Sequence, residues 1–228
     1  MRTAVLLSGG LDSAVLLADE VSRGDAPVQP IYVSAGLAWE PGERAIVDAL
    51  LDAPPLAGRV RPLASLTVDM RDVYSAVHWA VTGNPPAYHT PDEDVYLPGR
   101  NVVLFAKAGI YCAVAELDRI VIGTLAHNPF PDATPAFRAS ISQAISLGVG
   151  RSIAIDAPFA GMEKHAVVRR GAALGVPFDL TLSCMKPAGT GHCGTCSKCR
   201  ERHDAFVAAG VPDPTAYADP RYVRENAT

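Results

Sequence analysis

Short, largely apolar runs alternate along this chain with longer stretches in which apolar residues recur every three or four positions. The runs cover residues 4–7, 28–33, 60–63, 119–123 and 153–155. Each is brief and bounded by turn-forming residues, the pattern of strands buried in a sheet. The longer stretches predict helices over 43–51, 102–117, 136–147, 163–174 and 198–209, and another helix opens around Ala14 to Ala18. In 43–51 the residues Ile46, Val47, Leu50 and Leu51 share one side. The stretch 102–117 is so apolar that it reads as a buried helix, 136–147 is stopped by Gly148, and 163–174 by Gly175. Strands alternating with helices predict an α/β fold: a parallel, doubly wound sheet with right-handed crossovers. Ligands of such sheets sit beyond the carboxyl ends of the strands.

The first strand ends in Leu7-Ser8-Gly9-Gly10-Leu11-Asp12-Ser13, where a tight turn leads straight into a helix. Two glycines allow close backbone approach to a ligand. The free N–H groups and positive dipole end of the helix favour an anion, here a phosphate. Ser8 and Ser13 add hydroxyls, and Asp12 adds a carboxylate that either caps the helix or helps hold a metal. A plain structural turn is the alternative. The chain has no Gly-x-x-x-x-Gly-Lys-Ser/Thr string, so this is not the Walker type of phosphate loop. Two further loops, 82–98 and 127–135, are long and proline-rich, as functional loops often are.

Composition narrows the picture. With 228 residues, 49% hydrophobic and 19% charged, the chain can bury a sizeable core. A net charge of -4 argues against a nucleic-acid-binding surface overall, leaving only a local basic group at Arg169, Arg170, Lys198, Arg200 and Arg202. No apolar run approaches the ~20 residues of a membrane span, and the N-terminus has no signal-peptide layout. A cytoplasmic location is the expectation, and there clustered thiols point to metal. Cys184, Cys193, Cys196 and Cys199 have the spacing Cys-x8-Cys-x2-Cys-x2-Cys. Four thiolates complete the tetrahedral shell of a structural Zn²⁺. Disulfides, free thiols and an iron–sulfur cluster are the alternatives, and the adjacent His192 is a substitute ligand. Cys112, inside an apolar helix, reads as a core residue. The organisation expected is a phosphate-loop α/β domain over 1–180, a cysteine knuckle with its helix over 181–210, and a surface or partly disordered tail over 211–228.

The Ser-Gly-Gly-x-Asp-Ser string resembles the PP-loop of the ATP pyrophosphatases, which implies an adenine nucleotide alpha hydrolase-like fold. Five segments together resemble the 7-cyano-7-deazaguanine synthases of the queuosine pathway, in that family's order. They are Leu6 to Ser13, Leu97-Pro98-Gly99-Arg100-Asn101, Val121-Ile122-Gly123, Pro131-Asp132 through Phe137, and Ser183-Cys184 through Cys199-x-x-Arg202. Lys164 matches a lysine that this family carries at a helix start before the knuckle.

The resemblance implies ATP-dependent carbon–nitrogen ligation through adenylated intermediates, with 7-carboxy-7-deazaguanine and ammonia as substrates, ATP and Mg²⁺ as cofactors, and a homodimer. It implies ATP contacts from Leu7 to Ser13, and Asp12, Arg100 and Lys164 as charge-handling catalytic residues. The acceptor would be held by Arg100, Asn101, Gly123, Pro131, Asp132 and Phe137, with the Asp132 carboxylate reading a guanine-like edge.

The chain departs from the family in two places. Val33-Ser34-Ala35-Gly36 stands where the family has Asp-Tyr-Gly-Gln, and Thr124 to Phe130 replaces an acidic Ser-Gly-Tyr-rich stretch. Both fall at strand ends. They keep open a paralogue acting on another carboxylate or amide, a tRNA-thiolating ligase, and a non-catalytic ATP sensor. His127 reads as a solvated loop residue, with a proton carrier as the alternative.

Overall fold

In the computed structural model, which describes residues 1–24 and 26–221, five parallel strands run in the order β3-β2-β1-β4-β5. They are β1 (Thr3–Leu6), β2 (Gln29–Ser34), β3 (Ala64–Thr67), β4 (Arg119–Val121) and β5 (Ala154–Asp156). The helices are α1 (Leu11–Arg23), α2 (Glu40–Asp52), α3 (Trp79–Thr82), α4 (Arg100–Val114), α5 (Pro135–Val149), α6 (Lys164–Ala173) and α7 (Ser197–Ala209).

Successive strand residues point to opposite faces, so the central β1 serves two cores. Val5 and Leu7 join Val15, Leu16, Val167 and Phe206 beneath α1, α6 and α7. Ala4 and Leu6 join Phe105, Cys112, Ile120 and Ile145 beneath α4 and α5. The chain winds outward from β1 to β3, then returns to place β4 on the other flank of β1. That reversal makes the carboxyl ends of β1 and β4 the switch point where a crevice opens.

Several expectations need correction. The third strand is Ala64–Thr67, not 60–63. Val60 makes only an isolated bridge to Val28. Pro62 has no N–H for the ladder, and pairing resumes where Ala64 meets Ile31. This edge strand is half exposed, so it lacked the apolar signature. Helix α5 runs through Gly148 and stops at Gly150, which adopts the left-handed cap conformation with φ 66°. Helix α4 is buried along one side only; Val102, Ile110 and Val114 face outward.

The start of the tail is not loose. Ala218 donates to the His192 carbonyl and Asp219 to that of Cys193. The rest of that expectation, beyond residue 221, lies outside the described residues. Four of the five residues of the local basic group are also buried or paired with acids, while Arg169 donates to the Ala208 carbonyl. Arg202 is fully buried, Arg170 binds Asp19, Lys198 binds Glu201 and Arg200 binds Asp92.

Candidate active site

The glycine turn is built to hold its helix end open. Gly9 has φ 81°, and a Cβ there would meet Val47 at 3.0 Å, so α2 can pack against the loop only because residue 9 is glycine. Gly123 gives the same freedom from the β4 side, where a Cβ would stand 3.3 Å from the Asp12 carbonyl carbon. The Ser13 hydroxyl donates to the Gly10 carbonyl (2.9 Å) and accepts from the Ser8 N–H (3.3 Å). The Ser8 hydroxyl accepts from the Gly10 N–H (3.2 Å). The serines therefore brace the turn from within. No side chain caps α1, so its first-turn N–H groups face the crevice as an anion site.

Lys164, the first residue of α6, reaches into this crevice. Its Nζ lies 2.9 Å from Asp12 Oδ2 and 2.7 Å from Glu201 Oε1. Lys198 closes the network at 2.5 Å from Glu201 Oε2. Burial opposes the charge on Lys164, but Asp12 and Glu201 outweigh it and hold its pKa above the ordinary amine value. Burial likewise opposes the Glu201 charge, yet the two lysines hold its carboxyl at about 2. Lys164 and Glu201 therefore remain ionised throughout the neutral range. The other Asp12 oxygen, Oδ1, is buried with no partner, an orphan acceptor suited to a hard divalent cation.

Two cavities meet at the loop. The first, about 260 Å³, lies over the ends of β1, β2 and β4 against Tyr32, Val33, Leu104 and Ile122. The second, about 500 Å³, runs past Trp39 and Trp79 to Lys164, Lys198 and Ser183. Ser8, Gly10, Asp12, Glu43, Arg100 and Gly123 line both. Arg100 sits over the Trp39 ring at 5.8 Å, and its buried Nε has no partner. A cation with an unused donor at the junction again favours an anionic ligand.

The four cysteines converge as the spacing implies. All four Sγ atoms lie within 4.8 Å of one another, with Cys196–Cys199 at 3.6 Å and Cys193–Cys199 at 3.9 Å. A tetrahedron with Zn–S bonds of ~2.3 Å has edges of about 3.8 Å. His192 is not a ligand: its Nε2 accepts from the Ser183 N–H at 3.1 Å, and burial pushes its pKa down to about 4. The knuckle is tied to the phosphate loop, because Leu182 N–H donates to the Gly9 carbonyl at 2.8 Å. It also secures the 82–98 loop, through Ser197 to Pro86 and through Arg200 to the carbonyls of Tyr88 and Thr90.

Of the sequence-predicted site residues, Leu7, Ser8, Gly10, Leu11, Asp12, Ser13, Arg100, Asn101, Gly123, Asp132 and Lys164 line a cavity. Gly9 acts through its backbone. Phe137 lines neither; its ring packs on Phe105 in the core beneath α4 and α5. Pro131 is exposed and only starts a short turn. Asp132 is committed locally. Its carboxylate accepts from the Asn101 N–H (3.0 Å) and amide (3.3 Å), which secures the start of α4. His127 has its side chain 83% exposed and pairs with Glu163 at 2.9 Å. Sequence reasoning passed over Glu43, Glu201, Trp39 and Trp79. Only Glu201 left a trace, as the partner three residues after Lys198 on one helix.

The sequence matches the model of the family described as queuosine biosynthesis protein QueC over residues 2–210. It is 35% identical to a 7-cyano-7-deazaguanine synthase of Methylobacillus flagellatus, covering 98% of this chain and 99% of that protein. It is 35% identical to one from Anaeromyxobacter sp., covering 95% and 96%. Among solved structures, a 4-thiouridine synthetase–RNA complex with bound ATP aligns at a TM-score of 0.51 and 17% identity, over 98% of this chain and 49% of that one. That likeness concerns the fold alone, a parallel α/β architecture. Among the described residues, no helix is long and apolar enough to cross a membrane.

Proposed function

The chain belongs to the QueC family of queuosine biosynthesis proteins, and on that premise we propose that it makes 7-cyano-7-deazaguanine from 7-carboxy-7-deazaguanine, ammonia and ATP. The observation that carries this reading is the junction. Two cavities share the phosphate loop and Arg100, so a nucleotide in one and an acceptor in the other would meet at the α-phosphate. We assign the adenosine to the smaller, more apolar cavity beside Tyr32 and Ile122. The carboxylate acceptor goes to the larger one, where Lys164, Lys198 and Arg100 offset its charge.

A carboxylate is a poor electrophile at neutral pH. Attack of its oxygen on the α-phosphorus, with loss of pyrophosphate, converts that oxygen into a leaving group. Ammonia then attacks the carbonyl carbon and AMP departs, giving the amide. A second ATP activates the amide oxygen, and loss of AMP and of the two nitrogen-bound protons gives the nitrile. The first-turn N–H groups of α1 receive the pyrophosphate, and Arg100 and Lys164 stabilise charge on the phosphates. Asp12 Oδ1 fits Mg²⁺, which supplies charge neutralisation when bound. The four thiolates fit Zn²⁺ as a closed structural site with no open position. Asp132 and Asn101 set the start of α4 and thereby the place of Arg100.

AMP release is the test. Release that requires both the deazaguanine carboxylate and ammonium, at two AMP per nitrile, is expected. Tight ATP binding without acceptor-dependent AMP would refute it. A cytoplasmic location is part of this proposal, supported by the need for ATP.

We also read the protein as a homodimer joined through α4 and α5, where Val102, Ile110, Val114 and Leu147 are exposed. Val114→Asp should convert a dimeric sedimentation species to a monomer. An unchanged species would rule out this face.

A further inference from the structure

We propose that Glu43 is a catalytic base of this reaction, taking the protons that nitrogen loses at the acceptor carbon. The inference rests on the function proposed above. Glu43 lies on the first turn of α2, the turn that packs against Gly9, and its side chain lines the wall common to both cavities. It is 7% exposed. Its Oε2 accepts from the Tyr32 hydroxyl at 3.0 Å.

The other carboxylates lining the cavities are already committed. Asp12 and Glu201 bind Lys164, Asp92 binds Arg200, Glu163 binds His127, and Asp132 holds Asn101. Among the described residues, Glu43 alone of this set has only neutral donors, Tyr32 and Trp39, as hydrogen-bond partners. A buried carboxylate without a paired cation is costly, so stability does not account for it. Burial pushes its pKa up to about 7, with Arg100, Tyr32 and Trp39 working against the rise and Glu40 adding to it. A base is most effective with a pKa near the working pH.

The chemistry needs such a group twice. When ammonia attacks the adenylated carbon, the C–N bond forms, the C–O bond to AMP breaks, and nitrogen must shed one proton. As the amide is adenylated and collapses, AMP leaves again and nitrogen sheds its two remaining protons while the second and third C–N bonds form. The Glu43 carboxylate accepts each proton and releases it to solvent through the open cavity. Lys164 cannot substitute, being held protonated by two carboxylates.

Adenylation of the carboxylate involves no nitrogen and moves no proton from it, which separates the roles. Glu43→Gln should keep acceptor-dependent ATP–pyrophosphate exchange within about threefold of wild type. Its nitrile formation should fall about 10²- to 10⁴-fold. The wild-type rate should rise with pH through a midpoint near 7, and the variant should lose that limb. Folding supplies a control. The Glu43 pKa is higher in the fold than its ordinary value, so ionisation destabilises the fold as pH rises through that interval. Glu43→Gln should therefore melt no lower than wild type at pH 8. Undiminished nitrile formation in the variant, or an equal fall in exchange and nitrile formation, would overturn the proposal. Failure of the wild-type protein to exchange pyrophosphate would overturn the underlying function, and the proposal with it.

Discussion

Asp12→Asn is expected to lower acceptor-dependent AMP release by about 10²- to 10³-fold, the cost of removing one preorganised charge from a reacting centre. Two functions of the carboxylate are lost together. Oδ2 holds Lys164 at 2.9 Å, and Oδ1 is the buried acceptor available to a cation. Asparagine keeps the shape but brings an NH₂ group where one oxygen stood, facing either an ammonium or the cation position. Lys164 retains Glu201 at 2.7 Å, so the fold should lose only about 1.5 kcal/mol, the scale of one charge-assisted hydrogen bond. Turnover measured over a range of Mg²⁺ concentrations, beside a denaturant melt, separates the two effects. Wild-type turnover in the variant would remove Asp12 from the phosphate site.

Cys199→Ser is expected to strip the metal and to destabilise the protein by roughly 4 kcal/mol or more. Metal binding by such sites is folding free energy, on the order of 10 kcal/mol, and a serine hydroxyl is a poor replacement for a thiolate. For a chain of this length the loss corresponds to a fall in melting temperature of about 10 °C. Activity should fall too. Cys199 is fully buried on α7, the helix that also carries Lys198, Glu201 and Arg202. Arg202 donates to the Thr181 hydroxyl at 2.9 Å and to the Phe178 carbonyl at 2.8 Å, bracing the segment whose Leu182 N–H holds Gly9. Metal analysis paired with thermal melting is the measurement. A metal-free protein that keeps its full melting temperature would show that the cysteines are not a structural site.

Much of this site is written locally. A phosphate loop needs its glycines, serines and helix start within six residues, and a tetrahedral metal needs four thiols within chain reach of one another. Both constraints act over short separations, so spacing alone exposed them. The central strands were legible for a similar reason: burial on both faces demands unbroken apolar runs. The edge strand β3 escaped because one of its neighbours is solvent. The engagement of Asp132 with Asn101 and the packing of Phe137 on Phe105 were not legible, because those partners are about thirty residues away in the chain. Whether a carboxylate faces a ligand or a backbone N–H depends on what the fold brings beside it.

The sequence by itself determined the layer architecture, the glycine turn and the four-cysteine cluster, and its motifs carried the resemblance to the family. The architecture, turn and cluster follow from periodicity and short-range geometry. Only the tertiary structure decided how charge is distributed in the crevice. Lys164 meets Asp12 and Glu201 from elements more than thirty residues away on either side, and Glu43 lies buried at the wall of two cavities with no ion pair among the described residues. Electrostatics acts through space and depends on burial, and neither can be read from order along a chain.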